Sequence, residues 1–316
     1  GEEEIRTGKP FMGQSGAELN KMLGEAGIAR GQCFVTNVCR ERPPRNDITV
    51  FIPQVKKNIT SDCVMVGGKM VKPPVARGID LLIKEIAAVK PNIIITLGNT
   101  PLWALTGNEG IRKWRGSMLY YNDVKLIPTY HPAAVLRQWD LRAITVQDLR
   151  RAARFRGGAP YPHPNWQFTI EPTYEQVIGT LDKLLTRIHS GERLRLSFDL
   201  ETRAGHIACA GISWDRSSAL CIPFMRISKP EGYWSAPEET SIVLQLYYLL
   251  THPNALVVGQ NLLYDCQYTW RHWRFVPNVF QDTMVSEHSL FSAQPKALAF
   301  LASKYCAFYE YWKEDK

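Results

Sequence analysis

Apolar and polar residues alternate strictly over Leu194-Arg195-Leu196-Ser197-Phe198-Asp199-Leu200-Glu201. This is the period of a strand, so Leu196, Phe198 and Leu200 share one face and Asp199 and Glu201 the other. Around this segment the pattern predicts a helix over 174–189 and strands over 193–200, 206–214 and 219–223. A helix over 238–251, a short strand over 256–259 and further helices follow. Strands followed by helices predict a mixed sheet. Earlier in the chain the pattern predicts a helix over 17–27, a strand over 32–38, a helix over 79–89, a buried strand over 92–97 and a helix from Thr100 to Leu105. That alternation predicts a parallel sheet with helices on its faces. Residues 157–165, Gly-Gly-Ala-Pro-Tyr-Pro-His-Pro-Asn, disfavour both helix and central strand and mark a boundary. The expected organisation is an α/β chain with one domain over 1–156, a linker over 157–167 and a second domain over 168–316.

Composition adds limits. The 316 residues, 45% hydrophobic, are enough for two domains that each bury a core. No apolar run approaches the roughly 18 residues of a membrane span, and no signal peptide opens the chain, so a cytoplasmic location is expected. The seven cysteines (33, 39, 63, 209, 221, 266 and 306) are scattered and never in a C-x-x-C pair, which argues against a disulfide framework or a zinc site. Residues 1–160 hold 24 of the 38 Lys and Arg but 14 of the 30 Asp and Glu, so the excess positive charge lies in the first half. That half is the better phosphate-binding surface, with Arg112, Lys113 and Arg115 before Gly116 as its candidate DNA contacts.

Asp199 and Glu201 at i and i+2 can share a pair of Mg²⁺ or Mn²⁺ ions, which take oxygen ligands. Two such ions roughly 3.5–4 Å apart activate a water and stabilise the leaving oxygen of a phosphodiester. An isolated Asp-x-Glu is equally the solvated face of a surface strand. The downstream Gly259-Gln260-Asn261-Leu262-Leu263-Tyr264-Asp265 supplies a third acid, Asp265, with Tyr264 beside it either to orient the reacting groups or simply to pack. Phe198-Asp199-Leu200-Glu201-Thr202 and residues 259–265 resemble the first two exonuclease motifs of the proofreading domain of family A DNA polymerases, and 281–284 and 298–305 resemble the helical segment that follows. The resemblance implies an RNase H-like mixed-sheet domain, four acidic ligands for two divalent ions and 3′→5′ removal of nucleotides. Tyr311 and Asp315 fit the family's Tyr-x-x-x-Asp third motif. Their surroundings also resemble the linker before that motif in phage-type enzymes, which would place the fourth ligand beyond Lys316 and leave the domain incomplete.

In the first half, residues 1–16, 34–44, 92–98 and 129–137 resemble, in order, the motifs of the uracil-DNA glycosylase superfamily, most closely its family 4. A three-layer α/β/α domain with a parallel sheet is implied. So are roles for three residues: Phe11 stacking on a flipped base, Asn37 reading the uracil edge and His131 donating to the leaving uracil oxygen. Taken singly, Phe11 also reads as core, Asn37 as a strand-end cap and His131 as a turn residue before proline. The family's first motif would end at Gly1, so the chain reads as a fragment. Family 4 carries an iron–sulfur cluster on four cysteines, and where it has Cys-Arg-Pro-Pro this chain has Glu41-Arg42-Pro43-Pro44. No cluster is expected.

A glycosylase-like domain joined to an exonuclease domain resembles the N-terminal portion of bacteriophage-type family A DNA polymerases. DNA with single-stranded 3′ ends is the implied partner, other replication proteins are possible ones, and a phage origin would place the protein in a bacterial host's cytoplasm. Two alternatives stand beside this reading: an active uracil glycosylase with an attached exonuclease, and a non-catalytic DNA-binding or uracil-sensing first domain.

Overall fold

The computed structural model describes residues 2–313 except 54, 56–57 and 229–231. The chain divides into two compact units, residues 1–162 together with the C-terminal segment from Ala299, and residues 163–298.

The first unit opens with α1 (Glu2–Thr7) and α2 (Gln14–Glu25). A hairpin of β1 (Val64–Val66) and β2 (Lys69–Val71) then leads into α3 (Pro73–Val89). Pro73 and Pro74 lie in the first turn of α3, where a missing N–H costs no helical hydrogen bond. There follow β3 (Ile93–Leu97), α4 (Asn99–Thr106), α5 (Ile111–Trp114), β4 (Leu119–Tyr121), β5 (Val124–Thr129), α6 (Pro132–Arg137) and α7 (Leu141–Phe155). Among the described residues the central sheet has the order β3-β5-β4, with β3 parallel and β4 antiparallel to β5. Ile94 and Leu126 point to one face, into a core with Val75, Ile79 and Leu82 of α3 and Leu102 and Trp103 of α4. Ile95 and Leu97 point to the other, toward Leu19 and Met22 of α2 and Leu149 of α7. Helices therefore cover both faces, giving the three α/β/α layers.

Residues 33–37, expected as a strand, form no ladder. They line an open cleft of about 1800 Å³ together with Ile93–Leu97 of β3, so the edge that would pair with them borders the cleft. Periodicity gives a segment its faces, but a strand also needs a hydrogen-bonding neighbour.

The second unit begins with β6 (Gln167–Thr169) and α8 (Tyr174–His189). Then come β7 (Leu194–Arg203), β8 (His206–Ser213), β9 (Ser218–Pro223), α9 (Ala236–Thr251), β10 (Ala255–Gly259), α10 (Leu262–Trp273), β11 (Val279–Asp282) and α11 (Thr283–Leu290). Its sheet has the order β11-β10-β7-β8-β9-β6. The β7-β8-β9 meander is antiparallel, and β10, β11 and β6 join in parallel. This is the mixed sheet expected. In α8, Thr173 and Gln176 form a reciprocal capping box, and Val177, Leu181, Leu184 and Ile188 recur at helical spacing to bury one face. They pack on Leu196, Phe198 and Leu200, while Arg195, Ser197, Asp199 and Glu201 on the opposite face of β7 are exposed.

Two boundaries differ from those expected. Tyr161, placed in the linker by its Pro neighbours, is buried in the first unit, its hydroxyl donating to Leu126 O. The segment from Ala299, expected in the second domain, also folds into the first unit. It enters as α12 (Leu298–Tyr305), and Met118 N donates to Tyr309 O at 2.7 Å. Leu301 and Tyr309 are buried there, and this apolar contact is what draws the segment back.

Candidate active site

The strand pairing of β7 aims Asp199 and Glu201 to one side, and the close approach of β10 brings up the third acid. Gly259 closes β10: a Cβ there would lie 2.8 Å from Phe198 O and 2.5 Å from the Leu262 side chain, so the chain can turn into α10 against β7 only without a side chain. One turn into α10, Asp265 is 2% exposed and its Oδ1 accepts a 2.7 Å hydrogen bond from Leu200 N. Asp265 is thereby fixed to the strand between the two exposed acids. Burial, with the charges of Asp199 and Asp282 adding to it and the Leu200 N–H opposing it, raises its carboxyl to about 6. Tyr264 shares a 2.5 Å hydrogen bond between its hydroxyl and that of Thr202.

Asp282 was not singled out as a site residue. It closes both neighbouring helices, accepting from Asn261 N and Leu262 N at the start of α10 and from Met284 N at the start of α11. An Asp followed by Thr-Met-Val is a helix-start signal, and this could have located it.

An all-oxygen donor set suits a hard divalent ion. The set is not assembled as expected, however: among the described residues no three His, Cys, Asp or Glu side chains are placed to hold a metal. Asp199 and Asp265 interact through their charges, and both Asp199 and Glu201 stay on the exposed face of β7. Tyr311 packs edge-on against Trp114 in the first unit, ring centroids 5.3 Å apart, and Asp315 lies outside the described residues.

The raised carboxyl has a consequence for stability. A group whose folded-state pKa exceeds its unfolded value binds more protons when folded, so its contribution is most favourable at low pH and is lost as pH rises through about 6. Asp265→Asn keeps the acceptor for Leu200 N but removes the buried charge. Without metal it is expected to stabilise the second unit by about 1–2 kcal/mol at pH 7.5 and by little at pH 4.5. Urea denaturation in chelator at the two pH values checks this, and a pH-independent difference would show that burial does not govern the group.

In the first unit, Phe11, Asn37 and His131 all line the cleft. Phe11 has φ 57, a left-handed conformation, and its carbonyl is held against Gly16, where a Cβ would lie 1.7 Å from that oxygen. The Phe11 and His131 rings are 5.5 Å apart. His131 caps α6, and its Nδ1 accepts from Ala133 N at 3.0 Å. Burial, then the Arg137 charge, lowers its pKa, so the ring is neutral with its proton on Nε2. A neutral donor is the form that can stabilise developing negative charge on an oxygen.

The basic trio is divided. Arg112 and Lys113 are exposed on α5, but Arg115, expected to meet DNA, is 1% exposed. Its guanidinium spans both carboxylate oxygens of Asp148 and donates to Ser303 Oγ at 2.6 Å. Nearby cations in sequence gave no sign that the third points inward. Cys33, Cys39 and Cys63 are free and half-buried, the Cys39 thiol donates to Glu41 O, and the residue at the family's cysteine position is Glu41.

Residues 1–153 match the profile of the uracil DNA glycosylase superfamily. A type-4 uracil-DNA glycosylase of Thermotoga maritima is 32% identical over 160 residues, 49% of this chain and 72% of that protein. A DNA polymerase of Bacillus phage SP01 is 28% identical over 204 residues, 63% of this chain but only 19% of that protein. A solved structure of the catalytic core of RRP6 from Trypanosoma brucei aligns with TM-score 0.35 and 18% identity, covering 46% of this chain and 37% of that one. This chain thus spans little more than a third of the RRP6 core and about a fifth of the polymerase. No helix among the described residues is long and apolar enough to cross a membrane. With identity above 30% across nearly three quarters of a type-4 enzyme, the chain belongs to the uracil DNA glycosylase superfamily.

Proposed function

We propose that the chain is the DNA-processing portion of a replicative polymerase, in which the glycosylase-superfamily unit holds DNA and the second unit removes nucleotides from 3′ ends. The observation that carries this reading is the buried Asp265 carboxyl, tied to Leu200 N and raised to about 6 beside Asp199. Asp199, Glu201 and Asp265 are the acids that would have to close around divalent ions, since without metal they are not gathered into a set. When bound, such ions polarise the phosphodiester and lower the pKa of the attacking water. The chain's own residues supply the frame. β7 presents Asp199 and Glu201 from a rigid central strand, Leu200 N–H orients Asp265, and the Tyr264–Thr202 hydrogen bond fixes the tyrosine ring beside the acids. The likeness to a phage DNA polymerase over 204 residues supports the reading.

A second reading, uracil excision by the first unit, is favoured by the neutral Nε2–H donor of His131 beside Phe11. One experiment separates the two. A 3′-labelled oligonucleotide containing a single uracil is incubated with the chain, with Mg²⁺ or with chelator. Metal-dependent shortening from the 3′ end with no abasic site is expected; shortening that survives chelation refutes the first reading, and abasic sites in chelator establish the second.

The first unit's excess of Lys and Arg carries a separate prediction. Its affinity for single-stranded DNA should fall steeply with salt as counterions are released. Titrations at low and moderate ionic strength check this, and a flat response would show that the basic surface does not bind phosphates.

A further inference from the structure

The sheet of the second unit carries an exposed aromatic pair with no assigned role. Trp166 and Phe168, on and beside β6, are 46% and 58% exposed. Their rings stack 5.7 Å apart at an interplanar angle of 22°. Scattered exposed apolar residues are ordinary. Two stacked rings on an edge strand are a liability for aggregation unless something covers them.

The strand register says which face they occupy. Phe168 pairs with Ala219 on β9, Ala219 with Ser213 on β8, and Ser213 with Ser197 on β7. In the next row Cys221 pairs with Gly211 and Gly211 with Asp199. Directly paired residues point to the same side of a sheet, so the stacked rings lie on the face that carries Asp199 and Glu201, opposite the core. The positions between them are small: Gly211, Ala219, Ser197 and Ser213. A shallow floor of small side chains therefore runs from the acids to the rings across three strand spacings and one two-residue step along them, about 16 Å in all. Exposed Arg216 lies in the turn beside β6, where Gln167 N donates to Ser217 O.

We propose that Trp166 and Phe168 form a base-stacking subsite for single-stranded DNA whose 3′ end is at Asp199. This inference rests on the exonuclease reading above. The occupant follows from the chemistry: aromatic faces accept any base, Arg216 suits a phosphate, and the small-residue floor leaves room for a strand between rings and acids. At about 3.4 Å per stacked nucleotide, the distance corresponds to no more than about five nucleotides from the 3′ end.

The test uses the full chain and single-stranded oligonucleotides with 5-iodouracil at successive positions from a 3′ end protected by a phosphorothioate linkage. Light-induced crosslinks are mapped by mass spectrometry. Crosslinking to Trp166 or Phe168 is expected only at a fixed, short distance from the 3′ end. On cleavable substrates, Phe168→Ala should raise KM for a long single strand about tenfold without changing that for a dinucleotide, and Phe168→Tyr should restore it. No crosslink to either residue, crosslinking at any position alike, or an unchanged KM in Phe168→Ala would overturn the proposal. So would an altered oligomeric state of Trp166→Ala together with no position-specific crosslink at Phe168, which would make the patch a protein contact. Failure of the exonuclease reading is seen separately, as hydrolysis indifferent to Asp199, because crosslinking requires no turnover.

Discussion

Asp199→Ala is expected to slow metal-dependent 3′-end hydrolysis by at least about 10²–10³-fold, with the second unit as stable as before. The loss follows from removing the acid that faces Asp265 from the central strand. The preserved fold follows from its exposed place on β7, where substitutions away from the core cost within about 0.5 kcal/mol. The Leu196, Phe198 and Leu200 side chains that carry the packing point the other way. Single-turnover digestion of a 3′-labelled oligonucleotide, paired with thermal denaturation, checks both halves. Equal rates for the two proteins would remove Asp199 from the chemistry. A lowered melting temperature would turn any activity loss into a folding effect.

Arg115→Met is expected to destabilise the first unit by about 3–5 kcal/mol, because it strands the Asp148 carboxylate in the core. Asp148 is 1% exposed, Thr129 Oγ1 donates to it at 2.8 Å, and the Arg151 charge also acts on it. Without the bidentate guanidinium, one hydroxyl and the Arg151 charge offset only part of the cost of a buried carboxylate. The double variant Arg115→Met/Asp148→Leu should recover much of the loss, since an apolar pair of similar volume avoids desolvating ions. Lys113→Met, on the exposed side of the same short helix, should cost little. Denaturation of the four proteins measures the coupling directly. A small effect of Arg115→Met would place the guanidinium in solvent, as the sequence suggested.

The contrast shows which features sequence carries. The α8 helix was legible to its ends because a capping box, an apolar stripe and a Gly after its last turn agree, and β7 was legible because strict alternation leaves one burial pattern. The acids Asp199 and Glu201 were legible as a face, and Asp265 through the motif of residues 259–265, but the approach that brings Asp265 to β7 depends on the close β10–α10 turn at Gly259. Residues 33–37 have a strand's faces yet pair with nothing, because pairing is decided by a neighbour distant in sequence. Arg115 looked like its neighbours because inward direction depends on Asp148, many residues away. Phe11, Asn37 and His131 were recognisable through the order of the motifs, and the structure brings all three to one cleft.

The return of residues from Ala299 to the first unit orders events during synthesis. Arg115, buried early in the sequence, waits for Ser303 Oγ, Arg151 waits for Cys306 O, and Met118 N waits for Tyr309 O. Residues 163–298 must all be translated first, a delay on the order of 10 s at about 5–20 residues per second. The nascent first unit therefore leaves the ribosome with an uncovered patch around Met118 and Trp114. The second unit, continuous in sequence, is made whole before the first can close.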